Sequence, residues 1–354
     1  MTPPAVILAE SELRQFTERI LAAVGVPGEK VPLVTDPLIE ANLRGVDSHG
    51  VQILPHYVEQ LEAGDVDSRV QGHVVRESGA CLLYDGEHGL GAVSATVCCG
   101  HAVRIARQYG VSLVVAREVS HFGIAGYWAQ QISSAGLIGI ALCDASPTVP
   151  PWQGRLGRVG TNPISLSVPH PAGRGWLLDM ATTTAAYGRL EKLQLEGKTT
   201  IPEGWAQDRE GRPTTDLATA LKGFLAPLGG YKGSGLAVLV EILCGVLSGG
   251  AMATEIRGIR QHGRHSRVNH TFLGIDVARL MPLEEFYQRM DRLVAEIKSA
   301  PPAAGYDEVL VAGDPEWRAK DERRRLGIPI PPGPWANLVR TARRLGVPLP
   351  AGIQ

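Results

Sequence analysis

The sequence predicts an α/β fold in which helical N- and C-terminal parts flank a central sheet domain. Three observations predict it. Apolar residues recur at helical spacing through the first 64 positions, short strand-like runs alternate with helical ones from residue 80, and helical periodicity returns toward the C-terminus. In order, Leu13, Phe16, Ile20, Leu21 and Val24 mark a helix over 11–25. A second is expected from Asp36 as N-cap and Pro37 at N1, running to Arg44-Gly45. A third covers Leu54 to Ala63 and stops at Gly64. ACLLYDG then reads as strand, AVSATVCCGHAVRIARQYG as helix, VSLVVARE as strand, YWAQQISSAG as helix and LIGIALCD as strand. ISLSVP and WLLDMA are two further strands, and residues 182–234 carry too much Gly, Thr and Pro to assign. Helices are expected again near 235–248, 283–299 and 334–345. No stretch reads as an interdomain linker, and no repeat is visible.

Composition narrows the function. The 354 residues carry 35 basic and 36 acidic side chains, a formal net charge of -1. That balance argues against a nucleic-acid binder and a polybasic membrane-surface protein. The 42 glycines and 25 prolines approach a fifth of the chain, against roughly 12% in ordinary proteins, which implies many tight turns. The cysteines at 81, 98, 99, 143 and 244 form no CxxC and sit mostly in apolar runs, as expected of buried thiols in a reducing compartment. The N-terminus has no signal-peptide pattern. Leu236 to Met252 is broken by Glu241 and glycines, so it reads as a buried helix rather than a membrane span. A soluble cytoplasmic protein with no nucleic-acid or membrane partner is expected.

A GxGxxG fingerprint after a strand is absent, as are a P-loop, HExxH and GxSxG. Six segments remain as candidate sites. In Arg44-Gly45-Val46-Asp47-Ser48-His49-Gly50, a histidine at a helix end can exchange protons near neutral pH, or merely cap the helix. Adjacent side chains rarely meet, so Ser48 and His49 are not expected to act as a hydrolase pair. Ser120-His121-Phe122-Gly123 follows a strand, where α/β proteins place ligands. Thr161 and Asn162 precede Pro163, a plain turn or a substrate-orienting pair. Asp179 ends an apolar run and can orient a histidine, take a ribose hydroxyl or cap a helix. Gly229 to Gly235, containing Lys232, opens an apolar helix and can hold an anion. The basic run 257–270 reads as a solvated loop without metal-site spacing, and no metal is expected.

Taken together, LRGVDSHGV at 43–51, SHFGIAGYWA at 120–129, GLIGIALCDASPTVPPWQG at 136–154, GTNPIS at 160–165, LLDMATT at 177–183, IPEGWAQDREGRPTTD at 201–216, YKGSGLAVLVEILCGVLSG at 231–249 and the tail 308–331 resemble the type II malate/L-lactate dehydrogenase family, over nearly the whole chain. That family includes ureidoglycolate and sulfolactate dehydrogenases, diketogulonate reductase and Δ1-piperideine-2-carboxylate reductase. The resemblance implies an NAD- or NADP-dependent oxidoreductase with a non-Rossmann cofactor fold. It implies a homodimer, a cofactor-binding domain over 116–280 between an N-terminal part (1–115) and a C-terminal part (281–354) that packs back on it, and a small 2-oxo acid, 2-hydroxy acid or cyclic imino acid as substrate. It assigns catalysis to His49, with Ser48, Asp179 and His121 beside it. Cofactor contacts fall on Asp179, Met180, Ala181, Lys232, Gly233, Gly313, Asp314 and Pro315, with Thr161 and Asn162 toward the substrate. Two positions depart: Ile53 stands where the family carries a carboxylate-gripping Arg, and Gln153 where it tends to carry Gly. The first departure leaves open a specialised substrate or a member that binds nucleotide without turnover.

Overall fold

The computed structural model describes residues 5–195 and 197–351. Strand β1 (Val6–Leu8) precedes helices α1 (Glu10–Ala23), α2 (Val31–Leu43) and α3 (Leu54–Glu62). Then come β2 (His73–Ser78), β3 (Cys81–Asp85), α4 (Gly91–Tyr109), β4 (Val111–Val119), α5 (Ala125–Ser133), β5 (Leu137–Cys143), β6 (Ile164–Ser167) and β7 (Leu177–Met180). Next are α6 (Tyr187–Leu195), β8 (Ala206–Gln207), β9 (Pro213–Thr214), α7 (Leu217–Lys222), β10 (Phe224–Leu225) and α8 (Tyr231–Glu241). The chain closes with β11 (Val268–Asp276), α9 (Leu283–Lys298), α10 (Asp314–Leu326), β12 (Ile328–Ile330) and α11 (Pro332–Arg344).

A seven-stranded mixed sheet, in the order β2-β3-β4-β11-β5-β6-β7, organises the middle of the chain. Only β3 and β4 pair in parallel; every other neighbour is antiparallel. Strand β4 runs through position 115, so the sheet joins the first two expected parts. The main core links this sheet to α1, α2, α3, α4, α5 and α11. Strand β12 pairs with β1, and the Trp335 ring lies 5.8 Å from that of Phe16. A second, smaller core of Val149, Leu190, Ile201, Leu217, Leu225 and neighbours supports the antiparallel β10-β8-β9 sheet. The site lies between these two bodies.

Several expectations change. Helix α2 starts at Val31, five residues before Asp36. Pro32 takes the early proline position, and Pro37 lies inside the helix, fully buried among apolar residues whose packing outweighs its missing N–H. Asp36 instead pairs with Arg14 of α1. The first 64 residues are not all helical, because β1 borrows its partner from the other end of the chain. Helix α8 and the π-helical turn that continues it, Ile242–Val246, are not wholly buried: Val238, Leu239, Ile242, Val246 and Leu247 are exposed. The basic run is exposed over 260–265, as expected of a solvated loop, but its end is drawn inward. It feeds into β11, a central strand in which His270 is fully buried. All five cysteines are free, four of them buried and Cys81 exposed. No helix among the described residues is long and apolar enough to cross a membrane.

Candidate active site

After α2 the chain reverses at Gly45 (φ 78) into a single 3-10 turn, Asp47–His49. Asn42 holds this turn at both ends: its Nδ2 donates to Asp47 Oδ1 at 2.8 Å, and its Oδ1 accepts the Val51 N–H at 2.8 Å. Gly50 has no substitute here, since a Cβ would stand 2.2 Å from Asn42 Oδ1. Arg323 of α10 grips Asp47 with both guanidinium nitrogens, at 2.5 and 3.0 Å, and also donates to the Asn42 carbonyl at 2.5 Å. Such charge-assisted forks combine energy with geometric definition. Both side chains are less than a third exposed. Arg323→Ala is therefore expected to lower stability by about 1–3 kcal/mol and to depress turnover. Unchanged melting and unchanged activity would remove the clamp from the account.

The turn brings Ser48 Oγ to 3.0 Å from His49 Nδ1. Neighbours 48 and 49 were expected to point apart, but the tight turn folds the hydroxyl back onto the ring.

His121 follows β4 at its C-terminal end, as the strand pattern indicates. Ser120 fixes the start of its loop by accepting the Gly91 N–H at 2.8 Å. Gly91 allows this approach, because a Cβ there would lie 2.0 Å from the Ser120 carbonyl oxygen. Phe122 stacks on His270 at 4.1 Å, and its carbonyl accepts from the Trp128 indole at 2.9 Å. The Gly123 N–H donates to His121 Nδ1 at 3.2 Å, and the Tyr57 hydroxyl lies 2.7 Å from the same nitrogen. Nδ1 is thus the acceptor, and the neutral imidazole carries its proton on Nε2.

The His49 and His121 rings lie 5.6 Å apart, inclined by 25°. Both border a cavity of about 860 Å³, a size ordinary for cofactor and small-molecule sites. Burial lowers His49 to about 4. Burial, aided by the neighbouring His49, lowers His121 to about 3. Both rings are neutral at pH 7.

Strand β7 and the N-terminus of α10 also line the cavity. Asp179, next to last in β7, is exposed on the cavity side, while one oxygen accepts the Gly126 N–H at 2.8 Å at the start of α5. A Cβ on Gly126 would stand 2.6 Å from that oxygen. Enclosure by protein pushes the Asp179 carboxyl up to about 6, against the lowering pull of the Gly126 N–H and Arg44. Met180 and Ala181 line the cavity beside it. Gly313 and Pro315 line it from the N-terminus of α10, where Gly313 takes φ 97. Asp314 is turned to other partners, the Val311 N–H at 3.1 Å and Lys298 Nζ at 2.8 Å.

Of the other expected residues, Lys232, Gly233 and Asn162 stand apart from the cavity. Lys232 is exposed in the first turn of α8 and does not line it. Gly233 packs where a Cβ would lie 2.3 Å from the Leu228 nitrogen, a close approach of backbone to backbone. Thr161 lines the cavity and its carbonyl accepts from Thr182. Asn162 does not line it: it is fully buried at φ 32, accepting the Ala145 N–H at 3.0 Å and donating to the Ala237 carbonyl at 2.9 Å and Glu241 at 3.0 Å. Its amide braces the loop beneath the site rather than facing a substrate. Ile53 is buried and lines the cavity. Gln153 takes φ 64, a left-handed backbone natural to glycine.

Sequence reasoning passed over Tyr57, although it stands in the stretch SHGVQILPHY beside His49. It also passed over Asp144, which lines the cavity and accepts from the Asn269 N–H at 2.7 Å and Nδ2 at 2.6 Å. Burial holds the Asp144 carboxyl well above the usual carboxylate range. Arg323 had no local signal, since its partner lies 276 residues away.

With this geometry in view, comparison with known proteins places the chain. Residues 8–339 match the family described as malate/L-lactate dehydrogenase. Malate dehydrogenase of Pyrococcus horikoshii is 39% identical over 329 residues, covering 91% of this chain and 90% of that one. L-sulfolactate dehydrogenase of Methanocaldococcus jannaschii is 35% identical over 318 residues, covering 90% and 91%. A solved structure of malate dehydrogenase from Pyrococcus horikoshii OT3 superposes with a TM-score of 0.89 at 36% identity, covering 97% of each chain. The chain is an oxidoreductase of the dehydrogenase and reductase class. The chain belongs to the malate/L-lactate dehydrogenase family.

Proposed function

We propose that the chain is an NAD- or NADP-dependent dehydrogenase that interconverts a small 2-hydroxy acid and its 2-oxo acid, with His49 exchanging the proton. The observation that carries this reading is the pair of neutral imidazoles, His49 and His121, on one cavity that Asp179 and the α10 N-terminus also line. When bound, a nicotinamide supplies the hydride acceptor or donor. The residues present suit such a group. Asp179 keeps one oxygen on Gly126 and leaves the other for a ribose hydroxyl, and the N-terminus of α10 offers partial positive charge to phosphate. Met180, Phe224 and Leu225 provide apolar walls. The antiparallel pairing that dominates the main sheet supports a cofactor fold other than the Rossmann one.

In the oxidative direction the substrate hydroxyl must lose a proton as hydride leaves its carbon. His49 is neutral at pH 7 and its Nδ1 faces Ser48, which leaves Nε2 to take that proton. In reduction the same nitrogen returns it to the oxygen. His121 has a different part. With two donors at Nδ1, its Nε2–H offers a hydrogen bond that polarises the substrate oxygen without changing charge. Ser48 and Tyr57 set the tautomers of the two rings.

We further propose a homodimer. The exposed apolar stripe of Val238, Leu239, Ile242, Val246 and Leu247 is a surface that water disfavours. Helix α9 likewise buries no residue within one subunit while exposing Leu293 and Ile297. Five unpaired cysteines suit a reducing cytoplasm.

The test is a binding and turnover screen. Protein is titrated with NADH and NADPH, and reduced-cofactor absorbance is followed with short 2-oxo acids and cyclic imino acids. Cofactor consumption with one of these acids is expected. Tight cofactor binding without consumption across the panel would overturn the reading in favour of a nucleotide-binding member that does not turn over.

A further inference from the structure

Three arginines line the cavity: Arg44, Arg257 and Arg260. Two are already engaged. Arg44 is buried, donates to Glu40 at 2.7 Å and to Gln130, and lies 5.2 Å over the Trp317 ring. Its charge acts on Asp179. Arg260 is 3.8 Å from Glu191. Arg257 is different. Its side chain makes no hydrogen bond or ion pair with any described residue, although it is half-buried at the cavity wall.

The backbone beneath Arg257 is fixed. Its N–H donates to the Ser266 carbonyl at 2.9 Å. Ile256, one residue before, is 1% exposed in the main core, and Ile259, two residues after, packs against the same core. Gly258 lies against Ser146, which also lines the cavity: a Cβ there would stand 3.1 Å from the Ser146 hydroxyl. A long side chain on an anchored loop keeps its charge at the wall. Four acids share the cavity, and none of them pairs with Arg257; Glu316 stands at the N-terminus of α10. Asp179 is held by Gly126, Glu191 faces Arg260, and burial disfavours the charged form of Asp144. A guanidinium held partly out of water without a counterion is costly unless a ligand supplies the anion. Its planar fork matches a carboxylate in two parallel hydrogen bonds.

We infer that Arg257 is the substrate-binding residue that grips the carboxylate of a 2-oxo or 2-hydroxy acid, taking from the loop after α8 the anchoring part that Ile53 does not perform. This rests on the reaction proposed above, and it adds the identity of the group that orients the acid. The carboxylate on Arg257 leaves the C2 oxygen to His49 and His121, while Ile53, Phe122 and Ile124 supply apolar wall on the same cavity. No bond is made or broken at Arg257.

Oxamate, an unreactive analogue of a 2-oxo monocarboxylate, is titrated by calorimetry into the full-length protein saturated with NADH and, separately, with NADPH. The unmodified protein, Arg257→Ala and Arg257→Lys are compared. Loss of a charge-assisted fork is expected to weaken oxamate binding about 10- to 100-fold in Arg257→Ala, with a smaller loss in Arg257→Lys. Reduced-cofactor affinity and melting temperature stay unchanged in both. In turnover, the loss should fall on KM for the 2-oxo acid more than on kcat. Oxamate binding by Arg257→Ala that equals the unmodified protein overturns the assignment, as does absence of oxamate binding to the unmodified protein. So does an equal loss of cofactor affinity, which would mark a structural effect. Turnover of 2-oxo acids that is indifferent to Arg257 overturns this inference and leaves the proposed reaction standing. Arg257-dependent oxamate binding without turnover of any acid does the reverse.

Discussion

Alanine in place of His49 is expected to lower kcat by about 100- to 10,000-fold, the range a positioned proton-exchanging group contributes, while reduced-cofactor affinity holds. The reason is geometric. His49 sits on a turn fixed by Asn42, Gly50 and the Arg323 fork, so its ring can vanish without releasing the loop. The residues proposed to hold the cofactor, on β7 and at the N-terminus of α10, make no hydrogen bond with the His49 ring. His121→Ala should cost less, because that ring polarises the substrate oxygen through a hydrogen bond and keeps its proton. Single-turnover rates with saturating cofactor separate the two. A His49→Ala enzyme within about threefold of the parent rate, well below the contribution of a general acid or base, would remove the proton exchanger from position 49. The opposite ranking of the two variants would move that role to His121.

The second large effect concerns acid. His270 is fully buried between Phe122 and Phe272, with neither ring nitrogen hydrogen-bonded in ordinary geometry. Burial, with a contribution from nearby His121, lowers it to about 3 from an ordinary 6.5. The unfolded chain therefore takes up a proton near pH 6.5 that the folded chain refuses until about 3. Between those values the unfolded state binds more protons, so stability present above 6.5 is lost as pH falls. Asp179 and Asp144, whose carboxyls are raised on folding, act in the opposite sense over part of the same window. A difference between two proteins removes them. His270→Phe fills the same aromatic stack and cannot titrate. Relative to the parent it should gain about 2–3 kcal/mol between pH 7 and pH 4, at roughly 1.4 kcal/mol per pH unit. Denaturant unfolding at the two pH values measures it. Parallel losses in parent and variant would mean that His270 carries its proton in the fold.

Much of this architecture was legible because local pattern and tertiary placement agree. The alternation from ACLLYDG to LIGIALCD became β3, α4, β4, α5 and β5 with little change of boundary. Where they disagree, the sequence misled. Helix α10 has no buried residue and no apolar stripe; ion pairs such as Arg323–Asp47 and Lys320–Glu40 seat it, and a periodicity search cannot see them. Strand β1 is three residues long and exists only because β12 pairs with it. Strand β11 hid behind a run of arginines and histidines, since charge before position 268 masked the strand that follows. The site shows the same division. His49, His121, Asp179 and Thr161 reach the cavity on the strength of local context. The surroundings of Asn162 could not be read, because Ala237 and Glu241, which claim its amide, lie on a helix more than seventy residues on. Arg257 was read as solvated together with its run, of which 260–265 are indeed exposed; its own anchoring by Ile256 and Ile259 is a tertiary fact that its neighbours in sequence do not reveal.

The fork between Arg323 and Asp47 also sets an order of assembly. Its two halves are separated by 276 residues, and the strand pair β1–β12 closes across a similar span. During synthesis the turn bearing His49 emerges early, yet its clamp and the partner of the first strand arrive only with the last few dozen residues. A nascent chain can build the sheet from β2 to β11 while its proton-exchanging turn is still unbraced. Contacts of such long sequence separation form late and slow folding. The proton-exchanging turn is thus braced only once segments 276 residues apart have met.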